Sequence, residues 1–577
     1  MLRRDFVRLL GGTAAATALP KPLFAKSAGA SREIDWSLLR QKVGDRLIAV
    51  HSPLAAVAET RGAGSDELFR RIKNPYFLGD EPSLTQTLGW IDAWTSRPSA
   101  MAVAAETGAD IAAAIDFARR SGLRLVVKGG GHSYFGNSNA AGSLLIWTRR
   151  MDEVRLHDSF RGQAWPSSMP SVPAVSVGAG AIWGRVYNKV TQAGRYVQGG
   201  GCLTVGVAGF IQGGGFGSLS KAFGTGAANL LEAEVVTADG KVRIANEHTE
   251  PELFFALRGG GGGTFGVATR MTLKTHPLPA FIGAALFEIA AKSELAWRNL
   301  VDRILSFYAD ILFNPTWGEQ IRFAPGRKLS IAMVCHGLDK SEVETIWRPF
   351  LSWVAERPND YAVEGDPLLI AIPGSKFWNP ASLRSLPGIV LQDDRTCGSP
   401  DNVFWAANLG EAGQVLNAYE SAWLSKDLLR PDRRQALVDA LIKASNEWPV
   451  SLHTNKGLAG GSAEALAASR RTATNPEVLD AFALLICAAD AKPAWPGIPG
   501  HEPDVVQGRQ EARRVAAAMS AIRRLAPKAG CYMSEANYFN PNWKNAYWGK
   551  NYRRLSLAKR YYDPTNLFHG HHTVEFD

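Results

Sequence analysis

The sequence predicts an α+β protein, with strands joined by hairpins and helices laid over sheets. Three observations carry that prediction. Between about residues 96 and 275, helical and strand patterns mix without strict βαβ repetition. Within that stretch, EAEVVTADGKVRIA sets two alternating runs about an Asp239-Gly240 turn, a hairpin signal. From about 276 to 528, long segments such as SELAWRNLVDRILSFYADIL and RQEARRVAAAMSAIRRLA carry the helical spacing of elements that cover a sheet.

Taken in order, the chain opens with MLRRDFVRLLGG, where the twin arginines Arg3 and Arg4 precede a short run of apolar and small residues, and Ala28-Gly29-Ala30 fits a small-residue cleavage site. Residues 1–30 therefore read as a twin-arginine export signal. Their apolar run is shorter than the ~20 residues a membrane span needs, and no later segment qualifies. The expected mature protein is periplasmic or secreted, meets the twin-arginine export machinery, and has no membrane in its mature form. Five basic residues and one acidic residue leave with the signal, so a net charge of +10 falls to +6. No Lys/Arg block stands out, which excludes a nucleic-acid footprint.

With 577 residues and 46% hydrophobic content, the chain can bury a large core and favours more than one domain. The run TGADIAAAIDFARRSG, Thr107 to Gly122, predicts a helix with Asp110 as N-cap and Gly122 as its stop. LRLVV follows as a buried strand, SLLIW is another, and AVSVGAG leads into the helical AIWGRVYNKVTQAG. KPAWPGIPGHEP, Lys492 to Pro503, reads as a Pro/Gly-rich surface loop. The cysteines Cys202, Cys335, Cys397, Cys487 and Cys531 form no CxxC pair, excluding a disulfide scaffold or a zinc module. Their odd number leaves at least one thiol unpaired within the chain.

Three glycine clusters mark the chemistry: Gly129-Gly130-Gly131 before His132, the run QGGGCLTVGVAGFIQGGGFG from Gln198 to Gly217, and RGGGGGTFG from Arg258 to Gly266. Clustered glycines at strand ends let a ligand approach the backbone and aim peptide N–H groups at anionic oxygens. None of the three supplies the strand, GxGxxG, helix and distant acid of a nicotinamide-type fingerprint. A dinucleotide held by separated loops fits better.

GGGHSYFG, then GGGCLTVGVAGFIQGGGFG, then LFFALRGGGGGTFGVAT resemble the flavin-binding domain of the vanillyl-alcohol-oxidase superfamily, and NYRRLSLAKRYYDPTNLF resembles the closing motif of its berberine-bridge-enzyme-like branch. The resemblance implies a two-subdomain PCMH-type FAD-binding domain over 96–277, preceded by a lead-in over 31–95. It also implies an antiparallel substrate domain covered by helices over 278–529, and a C-terminal segment, 530–577, that returns to the FAD domain. It further implies FAD attached twice, through His132 to the 8α-methyl group and through Cys202 to carbon 6. Imidazole and thiolate are competent nucleophiles for an electrophilic ring.

The cofactor-binding set implied by the motifs is Gly129, Gly130, Gly131, His132, Ser133, Gly201, Cys202, Thr204, Val205, Gly206, Gly209, Gly213, Gly214, Gly215, Gly217, Gly266, Val267 and Asn551. In YMSEANYFNPNW, the family pattern places Tyr532 and the base Glu535 at the flavin, with Ser534 where an Asn is usual. Strand alternation would set Tyr532 and Glu535 on opposite faces. A glutamate above an apolar ring is expected to have a raised pKa and still take a hydroxyl proton. Valine at position 205 goes, in plant relatives, with oxygen as electron acceptor. FHGHHT, with His569, His571 and His572, has no acidic partner at ligand spacing, so no metal is expected.

The leading functional expectation is an exported flavin oxidase that takes hydride from a small alcohol, sugar or phenol and makes hydrogen peroxide. A dehydrogenase passing electrons to a quinone or cytochrome is the second, and a flavin-bearing binding protein without turnover the third.

Overall fold

The computed structural model describes residues 34–60, 64–386, 388–489 and 493–576. The twin-arginine segment lies outside the described residues. From Ser37 onward the chain builds three main sheets around two large apolar cores.

The smallest of the three is four-stranded, in the order Leu47–Ala49, Met101–Ala104, Leu144–Trp147, Leu125–Lys128, and its last three strands are parallel. A helix, Gly108–Ser121, crosses from Met101–Ala104 to Leu125–Lys128, two parallel strands that flank Leu144–Trp147, as parallel strands require. Its start corrects the sequence reading: Thr107, not Asp110, is the N-cap. Thr107 has extended backbone and its hydroxyl accepts from the Asp110 N–H at 3.3 Å, while the Asp110 carboxylate accepts from the Thr107 N–H at 3.0 Å, a reciprocal capping box. Gly122, at φ 63°, ends the helix. The following strand delivers Gly129–Gly131 and His132 at its C-terminal end.

The second sheet is antiparallel, running Val242–Ala245, Leu230–Val236, Val267–Pro277, Val172–Gly178, Val154–Phe160, with Arg195–Val197 also paired to Val267–Pro277. The hairpin about Asp239-Gly240 is present in it. The third, seven-stranded and antiparallel, runs Tyr361–Pro373, Phe281–Ala291, Lys328–His336, Trp317–Ala324, Val450–His453, Ala481–Ala489, Ala418–Ser425. Helices Glu294–Phe307, Lys340–Ala355, Pro431–Glu447 and Val505–Leu525 share its core, where Trp297, Trp317 and Trp347 are fully buried. The α+β class and the helix-covered antiparallel sheet are thus both present.

One stretch leaves that sheet. Residues 374–417 place Trp378, Leu383, Val390 and Val403 in the same core as Val175 and Val177, then add Gln414–Leu416 beside Thr87–Trp90. The expected surface loop at 492–503 also needs correction. Trp495 and Ile498 are buried, and Trp495 stacks on Phe69 at 4.6 Å, because an indole in a Pro/Gly-rich stretch still gains by leaving water. Lys492 lies outside the described residues.

The closing motif forms helix Tyr552–Tyr562, whose Leu555, Ala558 and Tyr562 enter the core of the second sheet. Lys559 and Asp563 are both fully buried and paired at 2.6 Å; the ammonium also donates to the Thr264 and Phe568 carbonyls, and the carboxylate accepts from the Leu567 and Phe568 N–H groups. Removing one partner strands the other charge in apolar surroundings. Lys559→Met is expected to cost about 3–5 kcal/mol of stability, read as a lower urea midpoint.

All five cysteines are free thiols, and among the described residues no helix is long and apolar enough to cross a membrane.

Candidate functional site

Two glycine loops meet backbone to backbone. A Cβ on Gly130 would lie 2.6 Å from the Gly206 nitrogen, and a Cβ on Gly206 would lie 2.8 Å from the Gly130 nitrogen. Real Cβ atoms do not come this close, so the contact requires glycine on both sides. Its result is to bring the residues beside each glycine together. Thr204 Oγ1 lies 3.4 Å from His132 Nε2 and 3.5 Å from Cys202 Sγ. His132 and Cys202 are both half-buried. Burial pushes the imidazole down to about 4, leaving it neutral, and burial followed by the nearby Glu411 carboxylate pushes the thiol up to about 11.

The other cofactor candidates divide by what they touch. Gly201 and Gly209 face open space. Gly213 and Gly214 pack against Ser534 Oγ and the Thr474 methyl, and Gly215 against the Phe210 ring. Gly129 abuts the Ala179 carbonyl, Gly217 the Gly199 carbonyl, and Gly266 the Val236 carbonyl, so the protein's own backbone explains these three. Gly131 has φ 74°. Val267 is buried, 1% exposed, and Val205 packs half-buried against the core that holds Val175 and Val177. Ser133 Oγ accepts from the Phe135 N–H, and Asn551 donates to the Thr474 carbonyl at 2.9 Å.

The second cluster forms over Gly213–Gly215. Residues 532–540 are turns, not the expected strand: the Glu535 N–H donates to the Tyr532 carbonyl at 3.0 Å, and Asn537 and Asn540 each cap the backbone two residues on. The turn removes the problem of opposite strand faces. Tyr532 is buried edge-on against Phe216 at 4.9 Å, and burial, then the Glu535 charge, raise its phenol well above the ordinary tyrosine range. Glu535 forms an ion pair with Lys456, whose ammonium also stands 5.9 Å above the Tyr532 ring. It is therefore not a carboxylate over an apolar ring alone.

Sequence reasoning missed Lys456 and its surroundings. It follows strand Val450–His453 in the stretch HTNKG, which carries no recognised motif. Beside it, Glu319 accepts from Ser218 and from Asn455 at 3.2 Å and has a left-handed backbone, φ 73°. Burial raises the Glu319 pKa, opposed by Ser218 and Lys456. A non-glycine residue held there is strained, a feature that concentrates at functional sites. The third unforeseen residue is Glu411: a carboxylate oxygen, a His132 ring nitrogen and Cys202 Sγ all lie within 4.8 Å of one another.

These residues fit FAD. Open space borders Gly201 and Gly209, a neutral imidazole and a thiol converge beside it, and the buried Gln212 Oε1 between the second and third loops has no hydrogen-bond partner among the described residues. FAD, when bound, would be held by His132 and Cys202 and by the backbone of the three loops. His571 stacks on Tyr538 at 3.5 Å, His572 on Trp543 at 5.0 Å, and His569 Nδ1 lies 3.1 Å from the Asn566 carbonyl.

Residues 99–246 match the family model described as FAD binding domain, and residues 531–575 match that described as berberine and berberine like. An FAD-linked oxidoreductase of Arthroderma benhamiae is 30% identical, across 81% of this chain and 87% of the relative. A VAO-type flavoprotein oxidase of Thermothelomyces thermophilus is 28% identical, across 80% and 73%. The fold matches a crystal structure of a VAO-type flavoprotein from Myceliophthora thermophila, with TM-score 0.75 and 22% identity across 95% and 96%. It also matches glucooligosaccharide oxidase from Acremonium strictum, a protein with 6-S-cysteinyl, 8α-N1-histidyl FAD, with TM-score 0.61 and 21% identity across 83% and 92%.

Proposed function

The chain belongs to the FAD-linked oxidoreductases of the vanillyl-alcohol-oxidase superfamily, in its berberine-bridge-like branch, and from that premise we propose that it is an exported oxidase with doubly attached FAD. Its substrate is a small alcohol, sugar or phenol and its acceptor is dioxygen. The observation that carries the reading is the Glu535–Lys456 pair set beside Tyr532 and the Gly213–Gly215 run.

Bound FAD supplies the hydride acceptor. Glu535 receives the substrate hydroxyl proton as the adjacent carbon gives up hydride. Lys456 holds the carboxylate in place, and Tyr532, whose raised pKa keeps its proton, serves as a donor to the substrate oxygen. Glu319, Ser218 and Asn455 line the polar wall next to Lys456. The reading assigns residues 96–277 and 530–577 to the flavin and 278–529 mainly to the substrate. The sugar oxidase among the structural matches supports a polyol substrate class, Val205 supports dioxygen, and residues 1–30 support export to the periplasm or beyond.

An anaerobic screen over alcohols, sugars and phenols tests this. A true substrate is expected to bleach the flavin, and air to restore the colour rapidly with one peroxide per turnover. Bleaching followed by slow recolouring in air, but fast recolouring with a quinone or cytochrome, would make the enzyme a dehydrogenase. No bleaching across the screen would make it a binding protein.

A further inference from the structure

Glu411 comes from neither flavin loop. It lies just past a short helical turn, Ala406–Gly410, in the part of the chain that leaves the seven-stranded sheet. Yet its carboxylate reaches within 4.8 Å of both a His132 ring nitrogen and Cys202 Sγ.

Two ties hold the turn there. Upstream, Trp405 Nε1 donates to the Gly201 carbonyl at 2.9 Å, the residue immediately before Cys202. Downstream, the Gly413 N–H donates to the Gln86 carbonyl at 2.8 Å, and the Gln86 N–H donates to the Gly131 carbonyl at 3.1 Å, the residue immediately before His132. The segment carrying Glu411 is therefore fastened at both ends to the backbone that presents the two attachment residues. Asn408 orients the carboxylate, donating to Glu411 Oε1 at 3.1 Å.

The Glu411 carboxylate shares this space with a thiol and a neutral imidazole. Cys202 must lose its proton before its sulfur can attack, and its surroundings oppose that: burial and the Glu411 charge both favour the thiol over the thiolate. Two negative charges at this separation disfavour each other. A carboxylate that accepts the thiol proton as the sulfur bonds removes the conflict, since only one negative charge is present at any moment.

We propose that Glu411 is the general base for attachment of Cys202 to the flavin, a role that rests on Cys202 being an attachment residue. In that step the S–H bond of Cys202 breaks and its proton goes to Glu411. A bond forms between the sulfur and carbon 6 of the flavin, and the C–H bond at that carbon breaks, its proton passing to solvent. The two electrons released reduce dioxygen, which with two protons becomes hydrogen peroxide. Glu411 then returns its proton to water through its half-exposed side.

The test uses full-length protein made without flavin and then mixed with FAD in air. Peptide mass spectrometry follows the Cys202–flavin and His132–flavin bonds separately over time. Glu411→Gln is expected to bind FAD and form the histidyl bond at the wild-type rate, while the cysteinyl bond forms ~10²-fold more slowly, in the range of a lost acid–base group. Glu411→Asp is expected to restore part of the rate. Wild-type cysteinyl bond formation in Glu411→Gln would overturn the role of Glu411. So would equal slowing of both bonds, the mark of a distorted site, or zinc bound stoichiometrically through His132, Cys202 and Glu411. A wild-type protein with no cysteinyl bond would instead remove the assignment of Cys202, and the proposal with it.

Discussion

Glu535→Gln is expected to retain its flavin and its spectrum and to reduce that flavin ~10²–10⁴-fold more slowly with substrate, the loss typical when a positioned acid–base group is removed. That is about 3–5 kcal/mol of barrier at 1.36 kcal/mol per decade. The amide keeps the size of the carboxylate and can still contact Lys456, so the turn at 532–540 should persist. What it cannot do is accept a proton.

Lys456→Met separates positioning from chemistry. Without the ammonium the carboxylate loses the ion pair that holds it but can still accept a proton, so Lys456→Met should slow flavin reduction less than Glu535→Gln does. If Glu535→Gln reduces its flavin at the wild-type rate, the base lies elsewhere. Tyr532 would then need to ionise against its burial, with Lys456 over its ring as the compensating charge.

The parts of this site that were readable in the sequence are those where geometry constrains residue type locally. Gly130 and Gly206 had to be glycines because each occupies the space where the other's Cβ would stand, and that necessity produced the motifs beside His132 and Cys202. The hairpin at Asp239-Gly240 and the stop at Gly122 were readable for a similar reason, since a positive φ selects glycine.

Glu411 and Lys456 were not readable, because side chains arriving from distant parts of the chain, Lys456 from 79 residues before Glu535 and Glu411 from still farther from Cys202, leave no spacing signal. Lys456 sits one residue before Gly457, where a Cβ would meet the 481–483 backbone; the fold explains that glycine, but nothing local marks the lysine. The 532–540 segment misled for a different reason. The family resemblance implies a strand there, while the Asn537 and Asn540 side chains bond their own backbone and turn it. Val267 opens strand Val267–Pro277, and Gly266 just before it meets the Val236 carbonyl.

The largest qualitative effect is expected from removing both attachment residues. Wild-type protein precipitated with acid should give a yellow pellet, His132→Ala and Cys202→Ala should each keep the colour through the remaining bond, and the double variant should release all of it. The two groups meet different requirements. The imidazole, held neutral with its pKa near 4, has a lone pair available at any pH near neutrality, so the histidine needs no proton acceptor to become a nucleophile. The thiol, raised to about 11, carries almost no thiolate there and depends on a proton acceptor. Cys202→Ala should therefore retain flavin more completely than Glu411-impaired protein retains its cysteinyl bond. The native double variant should still bind FAD, because the Gly130–Gly206 contact and the three loops are untouched. A colourless wild-type pellet would refute attachment altogether; a pellet that loses its colour in either single variant would show that only that residue is bonded.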